Sequence, residues 1–133
     1  MKGLPVIVSV DFDGTITQEN DYPTCGALMP KAKEAITALH DKHGCIIILN
    51  TCRAGEPLAD ALEYCKRHGI PIDHVNEQSP QLLEIFKDTR KVYADYYIDD
   101  LNLGGFPGWE EAYWTICVKE GWRHLKKANS ERA

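Results

Sequence analysis

Val6-Ile7-Val8-Ser9-Val10-Asp11-Phe12-Asp13-Gly14-Thr15-Ile16 is the stretch whose reading decides the fold. A short apolar, β-branched run ends in two carboxylates two residues apart, followed by a glycine and a threonine. Such a run predicts a parallel strand buried on both faces, and the carboxyl end of that strand is where open α/β sheets place their ligands. Asp11 and Asp13 would share one side of a strictly extended strand, although Gly14 predicts that the chain is already turning there. Two carboxylates at one strand tip repel each other unless a cation neutralises them. A hard cation with oxygen ligands, such as Mg²⁺, suits that role. The plain structural alternative is an apolar strand followed by an Asp-Gly turn.

Downstream the chain repeats a strand-helix alternation. Residues 17–28 are polar, with Pro23 and Gly26, and predict a loop near the first strand tip. Pro30 suits the first position of a helix carrying Ala32, Ala35, Ile36 and Leu39, with Gly44 just past its end. Cys45-Ile46-Ile47-Ile48-Leu49 predicts a second buried strand, ending at Asn50-Thr51-Cys52-Arg53. Pro57 opens a helix with Leu58, Ala61, Leu62 and Cys65 on one face, and Gly69 closes it. A weak strand is expected around His74–Asn76. Ser79 and Pro80 then supply an N-cap and first position for a helix whose apolar face is Leu82, Leu83, Ile85 and Phe86. Tyr96-Tyr97-Ile98 is a fourth short strand ending at Asp99-Asp100, and residues 101–108 form a Gly/Pro-rich loop. Trp109 to Glu120 reads as a helix, although Trp114-Thr115-Ile116-Cys117-Val118 alone could pass as a strand. The expectation is an α/β protein, a three-layer α/β/α sandwich on a parallel sheet with right-handed crossovers. One domain over residues 1–125 is expected, with a polar, frayed tail at 126–133.

Composition narrows the function classes. The 133 residues suffice for one core, and the net charge of −5 comes with scattered basic residues. That argues against a nucleic-acid footprint without excluding one. No apolar run approaches the roughly 20 residues of a membrane helix, and Met1-Lys2-Gly3 leads straight into the first strand. The five cysteines (Cys25, Cys45, Cys52, Cys65 and Cys117) include no C-x-x-C and no zinc spacing, so reduced thiols in a cytoplasmic protein are expected.

Polar residues thus stand at three predicted strand tips: Asp11 and Asp13, Thr51, and Asp99 with Asp100. Lys91 stands ahead of the last, and parallel strands bring all the tips to one edge. In this arrangement the sequence resembles the haloacid dehalogenase superfamily, specifically its phosphatase branch. The first motif stands as Asp11-Phe12-Asp13-Gly14-Thr15-Ile16 and the second as Thr51 within Leu49-Asn50-Thr51-Cys52-Arg53. Lys91 best matches the third, with Lys87 its competitor, and Asp99-Asp100 matches the acidic fourth; the resemblance covers about residues 6–105.

The resemblance implies a Mg²⁺-dependent phosphomonoester hydrolase in which Asp11 attacks phosphorus and forms an aspartyl-phosphate. Asp13 would protonate the leaving alcohol and then activate water. Mg²⁺ would be held by Asp11, the backbone carbonyl of Asp13, and Asp99, with Asp100 in support. Thr51 would bind the phosphoryl oxygens, and Lys91 would neutralise Asp11 and the phosphate. From the residues alone, Arg53 either grips a substrate anion or forms a salt bridge. Taken singly, Thr51 is a strand-end hydroxyl, Asp99-Asp100 a turn and Lys91 a solvated lysine; their joint occurrence in order favours the site.

Neither residues 17–44 nor residues 54–90 leave room for the cap domain many superfamily members insert. An uncapped site admits a bulky phosphomonoester as well as a small one, or is closed by a second copy in a homo-oligomer. Recognition would then fall to the loop at 17–28, with Asn20, Asp21 and Tyr22, and to the loop 101–109. There Phe106, Pro107 and Trp109 are packing groups or a recognition surface. Three other readings compete. A response-regulator receiver has its acidic pair and its phosphorylated Asp in the opposite order. A phosphotransferase or phosphomutase would share the D-x-D motif but generally needs a cap. A catalytically silent phosphate-binding module would have little reason to keep both Asp11 and Asp13.

Overall fold

A computed structural model describes Met1 and residues 3–122; the expected polar tail at 126–133 lies outside the described residues. Four strands, β1 (Ile7–Val10), β2 (Ile46–Leu49), β3 (His74–Val75) and β4 (Tyr96–Ile98), form one parallel sheet in the order β3-β2-β1-β4. Four helices alternate with them: α1 (Ala32–Thr37), α2 (Gly55–Arg67), α3 (Pro80–Phe86) and α4 (Trp109–Glu120). A π-helical turn, Ala38–Lys42, extends α1. The α/β/α architecture is the one expected from sequence.

The layers are unequal. Alternate strand residues face opposite ways. Val8, Val10, Ile47 and Leu49 pack with Ile36 of α1, Ala61 and Cys65 of α2, and Trp109 and Ile116 of α4. Ile7 and Ile48 face the other way and meet Leu82 of α3, Val92 and Ala94. Each fully buried Ile or Leu contributes roughly 1.5–3 kcal/mol of transfer free energy, so the three-helix face carries most of the core.

Several boundaries differ from expectation for local reasons. Helix α1 begins at Ala32, two residues after Pro30, because Lys31 takes a left-handed conformation (φ 69°). Helix α2 begins at Gly55, so Pro57 lies inside its first turn, where its missing N–H has no intrahelical partner to lose. Ser79 and Pro80 do start α3, but the Ser79 hydroxyl makes no cap bond. Of that helix's expected apolar face only Leu82 is buried; Leu83, Ile85 and Phe86 are exposed. The segment Trp114–Val118 lies within α4, not in a strand.

Two acids seat the sheet. Ile47 N–H donates to Asp73 Oδ2 at 2.8 Å while Asp73 N–H donates to Ile47 O at 2.8 Å. Ile7 and Asp95 repeat this reciprocal pair at 2.8 and 2.8 Å. Backbone donors at the strand entries are thereby satisfied, and the register that aligns the opposite tips is fixed. Among the described residues no helix is long and apolar enough to cross a membrane.

Candidate functional site

The strand ends converge as the parallel topology requires. Asp11 N–H donates to Ile98 O at 3.0 Å and Asn50 N–H donates to Val10 O at 2.8 Å, so the residues following β1, β2 and β4 share one edge. Beyond Asp11 the chain folds over the Phe12 carbonyl, which accepts from Thr15 N–H at 3.2 Å, Ile16 N–H at 2.9 Å and Thr17 N–H at 3.1 Å. That turn needs Gly14, whose φ is +81°. A Cβ built there would fall 2.7 Å from Asp100 Cγ, so the missing side chain is what lets Asp100 approach.

Thr15 is fully buried and joins both ends of the site. Its hydroxyl donates to Asp11 Oδ2 at 3.3 Å and accepts from Asp100 N–H at 3.0 Å. Trp109, also buried, donates its indole N–H to Thr15 O at 2.8 Å. Phe106 meets Trp109 edge-on at 5.6 Å, which makes this end of the loop 101–109 packing rather than recognition surface.

One oxygen each of Asp11, Asp99 and Asp100 lie within 4.8 Å of one another. The ion pairs among the described residues engage Asp13, Asp41, Asp73, Glu77 and Asp95, and none of these three. Burial and the neighbouring charge of Asp99, with a contribution from Asp100, push the Asp11 carboxyl up to about 7. An uncompensated all-oxygen group of this kind fits a hard divalent cation. Asp13 supplies no carboxylate oxygen to it.

Asp11 and Asp99 line an open cleft of about 310 Å³ together with Ser9, Asn50, Lys91, Tyr97, Ile98 and Asn102. Lys91 thus reaches the cleft that holds Asp11. The Lys87 ammonium instead donates to Glu84 O at 3.2 Å, at the end of α3.

Asp13, Thr51 and Arg53 are not among the cleft's walls. Arg53 is buried, and its fork donates to Asp13 from Nε (2.8 Å to Oδ2) and Nη2 (2.7 Å to Oδ1). Nη1 donates to Pro23 O and Pro57 O at 3.0 Å each, and Nη2 also to Thr24 O at 2.6 Å. A guanidinium has five N–H donors, so none remains for a substrate anion. The salt-bridge role is therefore the one realised, and the anion-gripping expectation for Arg53 is corrected. Its guanidinium also lies 4.9 Å from the Phe12 ring centroid and 5.3 Å from that of Tyr22. The loop at 17–28 is thereby pinned to Asp13.

Thr51 Oγ1 accepts from Arg53 N–H at 3.1 Å, and Thr51 N–H donates to Asn76 Oδ1 at 2.8 Å. Its hydroxyl orients the Arg53 turn, and the structure does not bring it into the Asp11 cleft. Sequence reading missed Ser9, Asn50, Tyr97 and Asn102. Ser9, the one polar residue inside an otherwise apolar strand, was the available signal.

A solved structure of a conserved protein coded by a locus of Bacteroides thetaiotaomicron is similar to this chain, with TM-score 0.78 and 37% identity. The match covers 87% of this chain and 93% of that one. The chain belongs to the same family as that conserved protein. No protein-family model matches the chain, and no curated protein matches it.

Proposed function

We propose that this member of the Bacteroides conserved-protein family is a Mg²⁺-dependent phosphomonoester hydrolase working through an aspartyl-phosphate on Asp11. The observation that carries the reading is the placement of Asp11. It sits at the β1 tip in an acidic group with Asp99 and Asp100, in the same cleft as Lys91. A nucleophilic carboxylate and a phosphate repel each other, and this cleft offers two ways to relieve that repulsion. A bound Mg²⁺ would supply charge neutralisation and polarise the phosphoryl oxygens. Asp11, Asp99 and Asp100 are the side chains that would hold it. Lys91 draws the phosphate towards Asp11. The Thr15 hydroxyl fixes the orientation of the Asp11 carboxylate from which attack proceeds.

Asp13 is assigned the proton transfers, first to the leaving oxygen and then from the attacking water. With both its oxygens on Arg53, it must turn out of that pair to reach the reacting group. Arg53 is then a positioning residue. The same pairing favours one competing reading, a silent phosphate-binding module in which Asp13 is structural. We place the protein in a reducing compartment, the cytoplasm, on its five free thiols. Leu101 and Leu103 stand exposed beside Asp99 and Asp100, where a second copy could cover the open site.

A panel of phosphorylated small molecules, assayed with Mg²⁺ and then with EDTA, tests the proposal. Orthophosphate release that EDTA abolishes is expected. Tight phosphate binding without turnover of any ester would select the binding-module reading.

A further inference from the structure

Lys91 and Tyr97 form a wall of the Asp11 cleft shared with a second open cavity of about 370 Å³, completed by Phe86, Thr89, Tyr93 and Ala94. That volume lies in the range of small-molecule sites. Tyr97 is held rigid: its hydroxyl donates to Val92 O at 2.7 Å and accepts from Ala94 N–H at 3.0 Å. Phe86 and Tyr93 stack at 5.6 Å with planes 21° apart, and the Lys91 ammonium lies 5.6 Å from the Tyr97 centroid. Phe86 and Tyr97 are 36% and 38% exposed, more than such large rings need leave uncovered in a settled core. On this face of the sheet α3 is the one helix that packs among the described residues, beside Val92 and Ala94.

We propose that this aromatic cavity takes the alcohol part of the substrate, so that the protein prefers phosphomonoesters carrying a flat aromatic or heteroaromatic ring. The inference rests on the phosphatase reading for the position of the phosphate. Phosphate at Asp11 and Lys91 leaves the rest of the molecule to run along the shared wall. Three rings and an ammonium favour a flat π-system there over a saturated group. The cleft also adjoins an apolar cavity of about 190 Å³, lined among others by Tyr96, Phe106, Pro107, Ala112, Thr115 and Ile116 besides residues common to the cleft. It carries no cation.

Two matched pairs test the inference. Adenosine 5′-monophosphate against ribose 5-phosphate asks whether a nucleobase is read. Benzyl phosphate against cyclohexylmethyl phosphate asks whether a simple aryl ring is. A preference of about tenfold in kcat/KM for the flat member of at least one pair is expected, the size of a modest stacking gain. Whichever pair shows it identifies a nucleotide or an aryl ester as the source. Phe86→Leu should reduce that ratio severalfold, while Phe106→Leu should leave the ratio in place. Equal rates within both pairs, or a ratio lost in Phe106→Leu and kept in Phe86→Leu, would overturn the inference. Absence of turnover with all four esters leaves the phosphatase reading to the Mg²⁺ and EDTA panel. The cavity is then judged by equilibrium binding of the same pairs to the Asp11→Asn protein with Mg²⁺. Tighter binding of a flat member supports the inference, and equal binding overturns it.

Discussion

Asp11 and Asp13 stand two residues apart on one turn, in surroundings of opposite sign. Asp11 faces Asp99 and Asp100, with burial and like charge driving its carboxyl up to about 7. Asp13 meets a buried guanidinium that bonds both its oxygens. The chain meets the repulsion expected of two tip carboxylates by dividing them: Arg53 neutralises one, and the other stays uncompensated beside Asp99 and Asp100, where the proposed reading puts a cation. An adjacent D-x-D pair is thus two half-sites. One is charge-balanced within the protein, and the other, on the proposed reading, is balanced only by the ion it binds.

The largest expected effect tests the complete half. Arg53→Met leaves Asp13 without its cation in a mostly buried setting, and breaking such a pair costs about 3–5 kcal/mol. Asp13→Asn keeps the shape and leaves Arg53 its three carbonyl partners, so it should cost clearly less. Urea midpoints of the two variants check this. Equal losses would mean that the ion pair, not the fork's carbonyl contacts, holds the loop.

The open half should respond in the contrary sense. Mg²⁺ at a hundredfold excess over its Kd should stabilise the wild type by about 2.7 kcal/mol, and Asp99→Asn by much less. In EDTA, Asp99→Asn should be as stable as the wild type or gain up to about 1 kcal/mol, because it relieves repulsion at Asp11. Thermal melts with and without Mg²⁺ read both effects. A metal-free Asp99→Asn protein that melts far below wild type would show the acidic group to be structurally self-sufficient.

The smallest effect concerns the hinge between the halves. Gly14→Ala places a methyl against Asp100 at a φ of +81°, which should cost about 1–2 kcal/mol and weaken the Mg²⁺ shift. A stability loss with the Mg²⁺ shift intact would separate the turn from the metal group.

Much of this was legible in the sequence. Three short apolar runs and one weak strand, ending in polar residues and separated by helical periodicity, specify a parallel sheet and bring Asp11, Asp99 and Asp100 together. Of the two candidate lysines, Lys91 lines the Asp11 cleft and Lys87 bonds Glu84 O at the end of α3. What could not be read was the direction of side chains after the strands end. Thr51 and Arg53 stand two and four residues past the end of β2, yet neither lines the cleft: Thr51 bonds Arg53 N–H and Asn76, and Arg53 turns to Asp13 and the loop at 17–28. The course of Arg53 depends on carbonyls of Pro23, Thr24 and Pro57, which carry no signature in residue type. The exposure of Leu83, Ile85 and Phe86 was hidden for a related reason: helical periodicity marks an apolar face but does not say how much sheet lies beneath it.

The central claim is that Asp11, not Asp13, carries the phosphoryl group, and intact-mass spectrometry tests it most directly. Wild type, Asp11→Asn and Asp13→Asn are incubated briefly with Mg²⁺ and an activated aryl phosphate, whose leaving group hardly needs a proton. Asp13→Asn keeps the nucleophile but has no base to activate water, so it should accumulate one phosphoryl group, mapping to Asp11. Asp11→Asn should acquire none. Phosphorylation of Asp11→Asn, or undiminished steady turnover by Asp13→Asn, would contradict the account.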